Sequence, residues 1–132
     1  MSTVLKDRGK KKGIRRLFKS VHYSVEGLAY AYKHEQSLWF HLLATVTAVC
    51  IGLLLDIKSI EWIALILALG LLLTVELINS AIEAAVDLVT LDKNPLAKVA
   101  KDCGSAATFI TCILTAIVAL TIFIPYIIEL LR

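Results

Sequence analysis

The stretch from Trp62 to Asp87, "WIALILALGLLLTVELINSAIEAAVD", decides the fold class. From Trp62 to Val75 it carries no charge, and the same helical pattern then continues into a segment that contains three acids. An α-helix rises about 1.5 Å per residue, so roughly 20 apolar residues cross the core of a bilayer. The stretch therefore predicts a membrane-spanning helix with an acidic face at its end.

Two other segments are also apolar enough to cross a membrane. The segment 39–55 contains only His41, Thr45 and Thr47 as polar residues, and the segment 106–128 contains no charge. The chain has 132 residues, of which 58% are hydrophobic, more than is typical of a soluble domain. We predict an all-α integral membrane protein with spans at about 36–55, 60–89 and 103–128.

The N-terminal part of the chain has a different character. Residues 1–13 form a basic arm that we expect to be disordered. In residues 14–34, apolar side chains recur at helical spacing while the charged residues lie off that stripe. This pattern predicts an amphipathic surface helix, either a simple anchor or a platform that gathers lipid. Residues 14–132 together would form a single domain.

The distribution of Lys and Arg indicates an orientation in the membrane. Most of the 14 Lys and Arg residues precede Trp39, and the link between the second and third spans carries three more. The positive-inside rule therefore places the N-terminus and this second link in the cytoplasm. The residues 90–95 should break the helix, and a short helix from Leu96 to Asp102 should precede the third span. The basic arm suits anionic lipid headgroups better than nucleic acid, so no nucleic-acid partner is expected.

Four polar residues at the end of the second span share one helical face. Glu76, Asn79, Glu83 and Asp87 are separated by three, four and four positions, which places them in register. A carboxylate inside a bilayer costs roughly 2.5–3.5 kcal/mol, so such acids are usually functional rather than only links between helices. Oxygen ligands without Cys or His suit Mg²⁺ with phosphate, and a further carboxylate can serve as a general base.

Basic residues follow this acidic face in the sequence. Lys93, Lys98 and Lys101 could pair with phosphates. Together with the carboxylates they suggest phosphoryl transfer from a nucleotide to a lipid alcohol. The chain has neither a P-loop nor the G-x-G-x-x-G or protein-kinase motifs. The residues alone therefore indicate a metal-dependent membrane site, without naming the nucleotide.

Three motifs carry a resemblance to a known family. "HYSVEGLAYAYKHE", "ELINSAIEAAVD" and "AKDCGSAA" occur in this order and at a specific spacing. They resemble the small prokaryotic diacylglycerol kinases, which are lipid kinases with three membrane spans. The resemblance runs from about Arg16 to the end of the third span. It implies a homotrimeric bundle with active sites shared between subunits, in the inner membrane of a bacterium.

The resemblance also implies roles for individual residues. Glu76 matches the general base that takes the proton of the lipid hydroxyl, and Asn79 matches a residue that orders the site. Glu35 and Glu83 match the two acids that hold Mg²⁺ against ATP. The remaining positions that match ATP contacts are Tyr23, Asp87, Asp92, Lys93, Asn94, Lys101 and Asp102. The positions that match lipid-substrate contacts, besides Glu76, are Arg16 and Ser105.

Two lipids, undecaprenol and diacylglycerol, are the candidates for the substrate. "FH" at Phe40-His41 and "NPLAKVAKD" from Asn94 look like the Gram-positive branch of the family, which resembles undecaprenol kinases. We favour undecaprenol over diacylglycerol, since both present a primary hydroxyl. A small ion-coupled transporter and a non-catalytic scaffold are the more remote alternatives. His41 is interpreted as a polar residue that packs at the helix edge, in preference to a contact with the lipid headgroup.

Overall fold

The chain is all-helical over the residues that the computed structural model describes, 13–132. Four helices follow one another: α1 (Ile14–His34), α2 (Gln36–Leu54), α3 (Ser59–Val89) and α4 (Pro95–Leu130). The basic arm predicted for residues 1–13 lies almost wholly outside the described residues. The described residues divide into two units, residues 13–34 and residues 35–132, each described by itself below.

The first unit contains the helix α1, which is 21 residues long. The predicted helix over residues 14–34 is thus present. Its apolar side chains include Ile14, Phe18 and Val21, all of which are largely exposed within the single chain. The location of this helix at a membrane surface stays a prediction.

The second unit is a bundle of three helices that are long and apolar enough to cross a membrane. The helices α2, α3 and α4 contain 19, 31 and 36 residues. At about 1.5 Å per residue, α3 and α4 each exceed the roughly 30 Å of a bilayer core. Both helices are therefore longer than a bilayer core is thick, so their ends can carry a site at the membrane boundary.

The start of α4 differs from the prediction. A separate short helix was expected from Leu96 to Asp102, but the helix runs without interruption from Pro95 to Leu130. No residue between Leu96 and Leu130 other than Pro125 opposes a helix strongly, and a single glycine costs only about 1 kcal/mol. The break predicted for residues 90–94 is present, because α3 ends at Val89.

The apolar core lies toward the end of the bundle that is remote from the acidic face. Its buried members are Ala48, Ile57, Leu65, Leu69, Ile122 and Phe123. Trp62 packs so closely on Gly52 that a Cβ there would be 2.9 Å from the indole ring. The Tyr126 hydroxyl donates to Glu61 Oε2 at 2.6 Å and ties α4 to α3 at this end. These contacts leave the opposite ends of α3 and α4 available for polar groups.

Large apolar side chains cover the outside of the bundle. Leu43, Ile66 and Leu67 on α2 and α3, and Phe109 and Ile117 on α4, are more than half exposed within the single chain. Such a surface suits lipid tails or the apolar faces of other subunits. The homotrimer predicted from the family resemblance stays a prediction.

Asn94 is expected to stabilise the start of α4. Its side-chain Oδ1 accepts from the backbone N–H of Leu96 at 2.8 Å and of Ala97 at 3.4 Å, directly before Pro95. Loss of such a cap costs about 1 kcal/mol, so Asn94→Ala should lower the thermal unfolding midpoint in detergent micelles. Asn94→Asp keeps the acceptor and is the control. Equal midpoints for Asn94→Ala and the wild type would contradict the capping role.

Candidate active site

The acidic face of α3 passes from the protein interior to its surface. Glu76 is 3% exposed and Asn79 is 8% exposed, whereas Glu83 is half-buried and Asp87 is exposed. The four residues therefore lie on one face of α3 as predicted, but their surroundings differ. A buried carboxylate and amide lie at one end, and acids accessible to water lie at the other.

Glu76 is held from α2. The hydroxyl of Ser37 donates to Glu76 Oε1. The imidazole Nε2 of His41 lies 3.9 Å from Glu76 Oε2. Ser80 donates to the backbone carbonyl of Glu76 at 3.0 Å and leaves its carboxylate free for these two neighbours. The carboxylate thus meets polar groups of a second helix on both of its oxygens, which reduces the cost of burying it.

Asn79 lies where α3 packs against Gly104 of α4. Its amide Nδ2 donates to Glu83 Oε1 at 3.0 Å. Its Oδ1 is buried and has no hydrogen-bond partner among the described residues. This oxygen lies against Gly104, where a Cβ would overlap it well inside van der Waals contact. The absence of a side chain at Gly104 therefore allows α4 to pack closely against Asn79 of α3.

Beyond Glu83, the two helices are joined by an ion pair. Lys101 Nζ donates to Asp87 Oδ1 at 2.6 Å, and Lys98 pairs with Asp102 one turn along α4. Asp87 and Lys101 come from different helices, so this pair fixes the ends of α3 and α4 relative to each other. All four side chains are at least one-third exposed, so the pairs are screened by water.

A cleft of about 260 Å³ opens beside this ion pair. The predicted ATP-binding residues that line it are Asp87, Asp92, Lys93, Asn94, Lys101 and Asp102. Asn94 also caps α4, and the backbone N–H of Asp92 donates to the hydroxyl of Thr90 at 3.1 Å. The linker between α3 and α4 is thereby ordered into a cleft wall that carries both signs of charge.

Glu35 and Ser105, which belong to the same structural unit as the cleft, are not among the residues that line it. Arg16 and Tyr23 are exposed on α1, in the other structural unit. Glu35 precedes α2 and is half-buried. Ser105 follows Gly104 but is exposed. The roles of these residues stay predictions, as do the roles of the predicted site residues that lie in or near the cleft.

The donor chemistry near Glu83 fits a hard cation. Within residues 13–132, no group of three or more His, Cys, Asp or Glu side chains is placed to hold a metal ion. Mg²⁺, however, is commonly held by one or two carboxylates together with phosphate oxygens and water. The half-buried Glu83 carboxylate, which accepts a hydrogen bond from Asn79, has the donor chemistry of such a ligand.

Two contacts of Glu76 were not anticipated from the sequence. Ser37 was not singled out, and neither interpretation of His41 included a contact with Glu76. The available signal was their spacing of four residues, which puts two polar side chains on one face of an otherwise apolar helix. This spacing indicates a polar face on α2, but it does not identify the residue opposite.

Comparison with known proteins identifies the class to which this fold and site belong. A profile of the prokaryotic diacylglycerol kinases matches residues 22–123. The chain belongs to the prokaryotic diacylglycerol kinase family. It is 35% identical over 112 residues to the undecaprenol kinase of Bacillus subtilis, covering 85% of this chain and 91% of that protein.

Two diacylglycerol kinases are similarly related. The enzyme of Pseudomonas aeruginosa is 38% identical over 112 residues, covering 85% of this chain and 91% of that protein. The enzyme of Escherichia coli K12 is 38% identical over 105 residues, covering 80% of this chain and 86% of that protein. The family resemblance stated from the motifs is thus confirmed.

Proposed function

We propose that this protein is a membrane lipid kinase that transfers the γ-phosphoryl group of ATP to the primary hydroxyl of undecaprenol. The observation that carries the proposal is the buried Glu76, placed along one helix face from a charged cleft at the bundle end. Family membership supplies the reaction class. The buried acid would act on the lipid alcohol, which lies in the membrane. The charged cleft at the surface would bind ATP, which comes from water.

The dimensions of α3 suit this division. Asp87 follows Glu76 by eleven positions, which corresponds to about 16 Å along the helix axis. An extended nucleoside triphosphate spans such a distance. ATP bound with its nucleoside near the ion pair of Asp87 and Lys101 could therefore direct its γ-phosphate toward Glu76, past Glu83.

In the proposed reaction, Glu76 accepts the proton of the lipid hydroxyl as its oxygen attacks the γ-phosphorus. A bond forms between that oxygen and phosphorus, and the bond from phosphorus to the β–γ bridging oxygen breaks. ADP leaves with the bridging oxygen, and the lipid leaves as its monophosphate. Phosphoryl transfer depends mainly on positioning and charge stabilisation, so the order of the site matters more than covalent chemistry.

Glu35 and Glu83 would hold the Mg²⁺ that accompanies ATP. The ion would neutralise charge on the phosphates. Asn79 orders Glu83 by donating to its carboxylate, and Lys101 contributes positive charge at the cleft. Arg16, Tyr23 and Ser105 are proposed contacts of the two substrates.

The choice of undecaprenol rests on the Gram-positive pattern of two segments and on the similarity to an undecaprenol kinase. Diacylglycerol is the alternative substrate, since other relatives are diacylglycerol kinases. We further propose a homotrimer in the bacterial inner membrane. Its N-terminus and active site would face the cytoplasm, because the basic residues concentrate at that end.

The test is transfer of labelled γ-phosphate from ATP by the purified protein in mixed micelles with Mg²⁺. Undecaprenol and diacylglycerol are offered separately and compared by kcat/KM. A higher kcat/KM with undecaprenol supports the proposal, and a higher value with diacylglycerol overturns the substrate assignment. Transfer to neither lipid by folded protein would favour the ion-coupled transporter.

Replacing Glu83 is expected to change the dependence on metal. Glu83→Ala removes a proposed Mg²⁺ ligand and should raise the Mg²⁺ concentration needed for half-maximal activity by about tenfold or more. Glu26→Ala, an exposed acid on α1, is the control. An unchanged Mg²⁺ titration for Glu83→Ala would show that the metal assignment is wrong.

Loss of the ion pair of Asp87 and Lys101 should affect nucleotide binding more than folding. The pair is partly exposed and screened by water, so Lys101→Met should change the stability of the protein little. The KM for ATP should rise several-fold because a positive charge that lines the proposed nucleotide cleft is lost. Steady-state kinetics with varied ATP measure this effect. Lys58→Met, at the other end of α3, should leave the KM for ATP unchanged.

A further inference from the structure

The first turns of α2 present a polar pair to the acid in the interior of the bundle. Ser37 and His41 are four residues apart and lie on the same face of the helix. The Ser37 hydroxyl donates to Glu76 Oε1, and His41 Nε2 lies 3.9 Å from Glu76 Oε2. Leu38 beside them is completely buried, which anchors this part of α2 in the bundle.

The two contacts differ in kind. A hydroxyl that donates to a carboxylate is a directional, charge-assisted bond and fixes the oxygen that accepts it. A separation of 3.9 Å is too long for a direct hydrogen bond, so His41 acts as a close neighbour that limits the swing of the carboxylate. The His41 side chain is only 16% exposed, so it has little freedom to move away.

A buried carboxylate needs such restraint. The Glu76 side chain has three rotatable bonds. Among the described residues, the hydrogen bond to its carboxylate comes from Ser37 on α2, whereas Ser80 on its own helix donates only to its backbone carbonyl. A general base must lie within about 2.6–3.2 Å of the proton it accepts. The orientation of this carboxylate is therefore set by α2 and not by the acidic face to which it belongs.

We propose that Ser37 and His41 are positioning residues for Glu76, an inference that rests on the proposed lipid kinase function. Ser37 occupies Oε1 and thereby leaves Oε2, on the His41 side, as the oxygen that takes the proton of the lipid hydroxyl. His41 keeps Oε2 directed toward the lipid. Neither residue exchanges a proton with the substrate.

The inference predicts a specific kinetic pattern. Ser37→Ala should lower kcat by about tenfold or more, while KM for ATP and for the lipid stays within twofold, because only the base is misplaced. Ser37→Thr keeps the hydroxyl and should restore most of kcat. His41→Leu should lower kcat several-fold, and His41→Gln should retain more activity than His41→Leu.

Thr45→Ala is the matched control on the same helix. Thr45 also carries a hydroxyl, but it donates to the backbone carbonyl of His41 at 2.8 Å and not to Glu76. Its loss should leave kcat near that of the wild type. In a Glu76→Gln background, Ser37→Ala should produce no further decrease, since the two residues act as one unit.

A second readout does not depend on activity. The infrared carboxylate band of Glu76 is identified by its absence in Glu76→Gln, and Ser37→Ala should shift that band because a donated hydrogen bond is lost. An unshifted band, or wild-type kcat in Ser37→Ala, would overturn the inference even if lipid phosphorylation is observed. Equal losses of kcat in Ser37→Ala, Ser37→Thr and Thr45→Ala would show that the loss comes from disturbed packing of α2. This result would also overturn the inference. Absence of transfer by the wild-type protein overturns the proposed function instead.

Discussion

Glu76→Gln is expected to reduce lipid phosphorylation by about 10²–10⁴-fold, the range that general-base catalysis contributes. The substitution keeps the size of the side chain and an oxygen that can accept from Ser37, but it removes the group that accepts a proton. The protein should therefore remain folded. The measurement is the single-turnover rate of phosphate transfer from labelled ATP, with ATP binding checked separately.

Glu61→Gln is the control for this experiment. Glu61 lies on the same helix, where its carboxylate accepts from Tyr126 at the far end of the bundle. It should affect the rate of transfer little. A rate for Glu76→Gln within a few-fold of the wild type would show that another group accepts the proton, and the mechanism proposed for Glu76 would be wrong.

Gly104→Ala is expected to disrupt the site through its packing. The added Cβ would overlap the Oδ1 of Asn79, which cannot move without disturbing the bond from its amide to Glu83. Overpacking of this kind costs about 1–3 kcal/mol, and activity should fall together with stability. Thermal unfolding in micelles and phosphate transfer measure the two effects.

Two further variants separate packing from chemistry. Gly70→Ala is the matched control, because a Cβ at this helical glycine meets nothing within 4 Å in the described chain, and it should not destabilise the protein. In the double variant Gly104→Ala/Asn79→Ala the overlapping amide is gone, so stability should recover while activity stays low. Wild-type stability and activity in Gly104→Ala would contradict the close approach of α3 and α4.

The acidic face was predictable because it depends on one helix alone. The helical period places Glu76, Asn79, Glu83 and Asp87 on one side of α3 without knowledge of any other element. The break after Val89 was predictable for the same reason, since Pro95 and Asn94 are local signals for the start of a helix. The extent of α4 was not predicted correctly. The residues around Asp102 carry no local signal that shows whether a short helix ends there or continues into the third span.

The contacts between helices were beyond the reach of sequence patterns. Ser37 is an ordinary polar residue near a helix start until α3 brings Glu76 to it, 39 positions later in the chain. Gly104 is one small residue among several until the position of Asn79 shows that a side chain there would not fit. Such pairings depend on the rotation and depth of each helix, which the apolar stripes restrain only loosely.

The sequence by itself determined the membrane class, the three long helices, the acidic face and the family. These properties follow from hydropathy, helical period and motifs, each of which is written in consecutive residues. Only the tertiary structure decided that Glu76 is buried against Ser37 and His41, that Asn79 fits against Gly104, and that Lys101 reaches Asp87. The physical reason is that these contacts arise where separate helices pack together, and packing depends on the whole bundle.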